Sequence, residues 1–346
     1  MNVLDRRASL ALAGAGLVVA LVLPFVTGPT EQLLLAQTLI FAAFGLSLFL
    51  LLGDGGLVSF GHAAFLGTGA YTLGILTVRY EVPLALAWVL APVAGALMAV
   101  LIGWFSVRLT ALYFAMLTLA FGQFLWAIAL RVDFFGGEAG LIGVPTGWLG
   151  FDPRTFYLAS LAVMLVVLAA VVTVRLSPFG LALRSTRENA LRAEFSGLKV
   201  QTIRLVSFVV AGALAGLAGA MLAVSNGAVS PEVAYFTQSE VALIMVLLGG
   251  LRSVWGPIVG AVLFTFGEHY IAESFDAWEI VVGVAIILVV LFVPGGVTGT
   301  LADGLERLRG RRTEVTGPSA DGSRRADPAA PSAREGEEVG SGAHDH

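Results

Sequence analysis

The chain has 346 residues, of which 57% are hydrophobic and 13% charged, and its mean hydropathy is +0.88. A soluble domain carries about 25% charged residues, so this composition excludes an ordinary soluble protein and points to a polytopic membrane protein. The net charge of −4 says little, because acids and bases are split by loop, while the lack of cysteine excludes disulfides, thiolate metal ligands and cysteine nucleophiles.

Apolar runs of about 18 residues or more read as membrane helices, since about 20 helical residues cross a ~30 Å hydrocarbon core. The first run, 8–27, follows Asp5-Arg6-Arg7. It resembles a signal peptide, but it is longer than the usual apolar region of one, and no clear small-x-small site follows it. We read it as an uncleaved first span. Further runs lie at 33–52, 57–78, 83–107, 110–130, 156–175, 204–225, 239–251, 254–272 and 278–294. They are too long and too continuously apolar for barrel strands, so all are expected to be helices. The fold class is therefore all-α, with about ten transmembrane helices. The pair at 239–272 is the weakest: the first run is short, and Gly249-Gly250 and Gly256-Pro257 interrupt it. A re-entrant hairpin there would leave eight spans with the same end orientation.

Lysine and arginine set the orientation. With a cytoplasmic N-terminus and ten alternating spans, the inside receives Arg6, Arg7, Arg108, Arg175, Arg184, Arg187, Arg192, Lys199, Arg204, Arg252 and the arginines at 307, 309, 311 and 312. The outside receives Arg79, Arg131 and Arg154. Both termini are thus expected in the cytoplasm. Residues 313–346 are rich in Gly, Ser, Pro, Ala, Glu and Arg, too poor in large apolar side chains to offset ordering entropy. They read as a disordered tail.

Two polar islands interrupt the spans. Residues 131–155 form an outer loop with Gly, Pro and aromatic residues; a lid and an ordinary connection are both open. Residues 175–204 are placed in the cytoplasm. There, Pro178 and Gly180 stop the preceding helix, and Leu191, Phe195 and Leu198 recur at i, i+4, i+7 as one apolar stripe. Arg184, Arg187, Glu188 and Arg192 lie away from that stripe, Glu188 and Arg192 can pair at i, i+4, and Gly197 ends the helix. Such a helix can lie on the bilayer or dock into a partner's cleft, and the residues alone favour neither.

Small residues form two faces. Ala63, Gly67, Ala70 and Gly74 fall at i, i+4, i+7, i+11, and Gly212, Gly216, Gly219 and Ala223 repeat that spacing. These faces predict close helix packing. No P-loop and no H-E-x-x-H occur in the sequence. Ser59, His62 and nearby Asp54 can be drawn as nucleophile, base and orienter, but nothing resembles a nucleophile elbow, and the spacing is common by chance. Acids are scarce in the spans: Glu268 and Glu279 lie near their outer ends. Ion-driven carriers often place ionisable groups at mid-membrane.

Four blocks carry a resemblance. Val58-Ser59-Phe60-Gly61-His62-Ala63-Ala64-Phe65, followed by Gly69-Ala70-Tyr71-Thr72, resembles "SLGHAAF…GAYT". Gly136-Gly137-Glu138-Ala139-Gly140-Leu141 with Pro145 is similar to "TGGxxGLxGIP". Ser177-Pro178-Phe179-Gly180 through Arg187-Glu188-Asn189, Ala193-Glu194 and Gly197 is similar to "SPFGRALRAIRENE…AAxxxG". Gly249-Gly250 with Trp255-Gly256-Pro257 and Gly260-Ala261 is similar to "GGxGSxxGPxxGA". Together they cover most of 45–300 and resemble the M-type permease of branched-chain amino acid ABC importers, a family that includes related urea and amide permeases. Leu57 and Phe60 depart from it, and Asp54 adds a charge.

The resemblance implies a transport subunit and not an enzyme, in a bacterial plasma (inner) membrane and in contact with lipid, without a role for nucleic acid. Residues 1–30 would hold the first span, 31–300 the permease domain with a coupling loop at 176–203, and 301–346 the tail. Implied partners are an H-type permease, two cytoplasmic ATPase subunits and an extracytoplasmic binding protein. This chain would bind no cofactor or metal; ATP and Mg²⁺ would sit on the ATPases. The amphipathic helix becomes a coupling helix, with Arg184, Arg187, Glu188, Leu191, Ala193, Glu194 and Gly197 meeting the ATPase. Ser59, Gly61, His62 and Tyr71 are candidates for the substrate path, and Gly67, Gly74, Gly212, Gly216 and Gly219 for packing. The alternatives are a self-contained secondary carrier or channel for a small polar solute, and a membrane enzyme, which would need a loop cluster of acids or histidines.

Overall fold

The computed structural model describes residues 18–146, 152–251 and 253–272, with isolated positions at 14, 16, 280, 283, 284, 296, 298 and 299. The expected span at 278–294, most of the run at 8–17 and the tail at 313–346 lie outside the described residues.

Helical residues 18–26 turn into α1 (Pro29–Phe49). Pro29 supplies the first helical position, and the Glu31 side chain accepts from the Gly28 amide at 3.1 Å. Gln32 is buried, but its amide donates to the Pro24 and Thr27 carbonyls, which ties the turn shut. α1 ends in a π-helical turn, Leu50–Asp54. Helix α2 (Ala63–Val78) starts only after eight non-helical residues. The span expected from residue 57 thus has no helix before 63. The glycines of 53–56 end the helical ladder, and non-helical backbone is tolerated at membrane depth only where protein or water covers it. Here it is covered by protein: Leu57, Ser59, Gly61 and His62 are all buried.

Helices α3 (Leu84–Ser106) and α4 (Ala111–Arg131) follow. A loop with two 3₁₀ turns then leads to β1 (Leu141–Ile142). Asp152 caps α5 (Pro153–Leu176) by accepting from the Thr155 amide and hydroxyl, and the hydroxyl bond holds its carboxyl below the usual range. Short helices α6 (Pro178–Glu188) and α7 (Ala190–Phe195) precede α8 (Val200–Asn226). β2 (Ala228–Val229) pairs antiparallel with β1, Leu141 opposite Val229 and Ile142 opposite Ala228. A 3₁₀ turn at Pro231–Ala234 leads to α9 (Phe236–Gly249), and α10 (Gly256–Ala272) closes the described chain.

Helix α8 is central: it packs on α1, α2 and α3, while α1 also packs on α5 and α10, and α9 packs on α10. The α2–α8 contact is backbone to backbone. A Cβ at Gly69 would collide with the Gly216 carbonyl, and one at Gly219 with the Leu66 carbonyl. Gly95 of α3 approaches Gly212 in the same way. The expected faces are half right. Gly212, Gly216 and Gly219 do pack helices together. Gly67 and Gly74 instead face the loop elements, against Ala234 and Val229, and the α2 glycine that meets a helix is Gly69.

Among the described residues, five helices are long and apolar enough to cross a membrane: Pro29–Asp54, Leu84–Ser106, Leu112–Arg131, Pro153–Leu176 and Val200–Asn226. The chain is a multi-pass, all-helical membrane protein apart from the two-residue strands. Helices α2 and α9 have 16 and 14 residues. At a rise of about 1.5 Å per residue each falls short of a ~30 Å core.

Candidate functional site

Two regions gather the residues singled out by sequence. The first is the break before α2. His62 is fully buried between aromatic rings, stacked on Phe44 at 5.3 Å and edge-on to Phe65 at 5.6 Å. The Ser47 hydroxyl lies 2.8 Å from its Nε2 and donates its single hydrogen to the Phe44 carbonyl at 2.6 Å. The hydrogen between Ser47 and His62 therefore belongs to Nε2. Nδ1 has no partner among the described residues. Ser59 Oγ, in the same irregular segment, is also buried and without one.

Gly61 is pressed against the Thr118 carbonyl of α4, and Gly122 lies against it in turn. Its small size serves a close approach of backbones. Tyr71 lies in the third turn of α2, edge-on to Phe135 at 5.5 Å, its buried hydroxyl unpartnered among the described residues. The structure thus keeps Ser59 and His62 on one short segment and sets Tyr71 apart from them. Sequence reasoning missed Ser239 of α9, whose hydroxyl accepts from the Ala63 amide at 2.8 Å. That bond satisfies a first-turn donor of α2 and joins two broken-helix ends. A hydroxyl in the first turn of an apolar run was the available signal.

One prediction tests this nest. Ser47→Ala removes the acceptor of a buried ring N–H, which should cost about 1–3 kcal/mol. Purified in detergent, the variant is expected to unfold at a lower temperature than the wild-type chain; an unchanged midpoint would show that the bond contributes nothing.

The second region is the segment 177–198. Ser177 caps α6 through the Gly180 amide at 3.2 Å, with Pro178 at the first helical position. Asn189, with φ −158° and ψ 101°, ends α6 and caps α7 through the Arg192 amide at 2.9 Å. The expected single amphipathic helix is therefore two helices. The Glu188–Arg192 pair does not form among the described residues, because the break at Asn189 separates its two members.

Gly197 ends α7 as the sequence suggests. It takes φ +83°, its amide bonds the Glu194 carbonyl at 2.9 Å, and the Leu198 amide bonds Ala193 O at 3.1 Å. This pair of bonds is the Schellman stop. Leu198 therefore leaves the expected stripe and packs on the core, while Ala193 is buried. Leu191 and Phe195 stay outside, 63% and 85% exposed, with Leu181 on α6 also at 63%.

Arg184 and Arg187 differ most from expectation. Partly exposed, they reach back to hold the 53–56 turn. Asp54, buried, lies 3.4 Å from Arg175 Nε and 3.7 Å from Arg184, while Arg187 donates to the Gly53 carbonyl. Arg184 also donates to the Arg175 carbonyl at 3.1 Å, and the Arg175 guanidinium sits 5.3 Å above the Phe49 ring.

Comparison with known proteins agrees over most of the chain. The family model described as the permease component of branched-chain amino acid transport systems matches residues 32–291. The high-affinity branched-chain amino acid transport system permease protein LivM of Escherichia coli (strain K12) is 30% identical over 311 residues, covering 81% of this chain and 72% of that protein. The LivH permease of the same strain is 27% identical over 139 residues, 39% of this chain and 44% of the relative. A probable LivH permease of Methanocaldococcus jannaschii is 30% identical over 161 residues, 44% of this chain and 50% of the relative. No solved structure matches the chain.

Proposed function

Because the chain belongs to the family of branched-chain amino acid transport permeases, we propose that it is the M-type membrane subunit of an ATP-binding cassette importer. In this reading it forms the transmembrane path with an H-type permease. Relatives named LivM and LivH from one Escherichia coli strain support that pairing. Two ATPase subunits on the cytoplasmic side supply ATP and Mg²⁺ chemistry, and an extracytoplasmic binding protein delivers substrate. The substrate class is branched-chain amino acids or closely related amino acids, amides or urea. The membrane is a bacterial inner membrane, both termini lie in the cytoplasm, and the binding protein carries most of the selectivity.

The observation that carries the mechanism is α7, a capped helix whose Leu191 and Phe195 project while Ala193 anchors it. Apolar knobs on a short rigid helix suit a cleft on a partner better than bulk water. ATP binding would close the ATPase pair and carry α6 and α7 with it. A ligand shifts such an equilibrium only by its differential affinity for the two states; the cleft contact supplies that difference. Ser59, His62 and Tyr71 remain the proposed polar marks of the path, reached when the broken entrance to α2 opens.

Membrane vesicles holding all the subunits should accumulate leucine, isoleucine or valine only when ATP reaches the ATPase side. Uptake that continues without ATP and without the ATPase subunits would remove this reading in favour of a self-contained carrier.

A further inference from the structure

We propose that Asp54 is a positioning residue through which α6 holds and moves the turn that opens the broken entrance to α2. The inference rests on the transport reading above.

Five contacts join this turn to α6 and its root. The Asp54 carboxylate meets Arg184 of α6 and Arg175, in the last turn of α5. Arg187 of α6 donates to the Gly53 carbonyl, and its stem packs so closely on Gly56 that a Cβ there would lie 2.7 Å from Arg187 Cγ. Leu183 of α6, fully buried, presses on Gly55. A carboxylate with 2% of its side chain exposed is stable only in the company of cations. The turn is therefore tied to Arg184 of α6 and to Arg175 at its root. The same turn feeds the irregular segment holding Ser59 and His62. A shift of α6 thus reaches that buried segment through a short covalent path, with no long chain of intermediates.

The grip has a second setting. One carboxylate oxygen, Oδ1, takes both ion pairs, while Oδ2 has no partner among the described residues. Arg187 meanwhile spends a donor on the adjacent carbonyl of Gly53. A small rotation of α6 would trade that carbonyl for Oδ2, giving two discrete arrangements of the same groups. Two packed arrangements of one element are what a coupled transition needs.

The test uses the assembled transporter in vesicles, with uptake and ATP hydrolysis read side by side. For Asp54→Asn, leucine uptake should fall roughly fivefold or more, hydrolysis should continue, and its stimulation by substrate-loaded binding protein should disappear. Asp54→Glu should recover part of the uptake and of the stimulation; a role in stability alone would change neither ratio. If Asp54→Asn fails to reach the membrane, Arg187→Gln is expected to show the same uncoupling. A wild-type complex that imports while Asp54→Asn, or Arg187→Gln in its place, keeps wild-type uptake and stimulation overturns the proposal. A wild-type complex without ATP-driven uptake overturns the transport reading first, and this proposal with it.

Discussion

Gly197→Pro is expected to reduce ATP-driven uptake to background while the chain still inserts in the membrane. Gly197 sits at φ +83°, and its amide donates to the Glu194 carbonyl. Proline is locked near φ −65° and has no amide hydrogen. The substitution therefore breaks both features of the stop, and α7 can no longer hold Leu191 and Phe195 in place. Space is not the issue, since a Cβ at Gly197 would meet nothing within 4 Å. Gly197→Asn should keep most of the uptake, because asparagine tolerates the left-handed region. Gly197→Ala should lie between, with a penalty of about 1–2 kcal/mol for that conformation. Uptake and hydrolysis by vesicles carrying the three variants give the ranking. Proline and asparagine variants that behave alike would show that the stop has no part in coupling.

The long helices were legible because their signals are local. Apolar runs of about 20 residues gave their existence, while their starts at Pro29 after Gly28 and at Asp152-Pro153 lie a few residues before the expected edges at 33 and 156. Gly197 was legible for the same reason. The late start of α2 was not. Residues 57–62 are apolar enough to continue a helix, and what releases them is distant: the buried cover around them and the Ser239 hydroxyl that accepts from Ala63. The reach of Arg184 back to Asp54 was hidden likewise. A surface reading of a charged helix assumes that solvent is the only partner, and a buried acid 130 residues earlier in the chain reverses it. His62 shows the middle case. Its burial suited a packing histidine, but the ring's bond to Ser47, one span earlier, could not be read from spacing.

The glycine faces lead to the second large effect. Gly69→Val is expected to prevent accumulation of folded protein, whereas Gly67→Ala should cost far less. Lipid tails are as apolar as leucine, so helices in a membrane gain stability from close packing and not from burial away from water. At Gly69 the opposing atoms are the backbone of Gly216, carbonyl included. No side chain can swing aside there, so α2 and α8 must separate along a shared length. Overpacking costs about 1–3 kcal/mol where side chains can adjust; with backbone on both sides the cost should sit at the top of that range or above it. The loss also spreads, since Gly219 against Leu66 and Gly95 against Gly212 depend on the same helix spacing. At Gly67 the nearest atoms belong to Ala234, in a 3₁₀ turn outside the helices. That turn must itself shift, since a Cβ at Gly67 would lie 2.6 Å from Ala234 Cβ, but its movement need not part α2 from α8. Membrane level and thermal midpoint in detergent should therefore fall steeply for Gly69→Val and slightly for Gly67→Ala. Equal effects would mean that the loop, and not the α2–α8 backbone contact, limits stability. In sequence Gly67 lies on the small-residue face and Gly69 does not, yet it is Gly69 that meets the backbone of α8. They differ in whether the atom across from them is free to move.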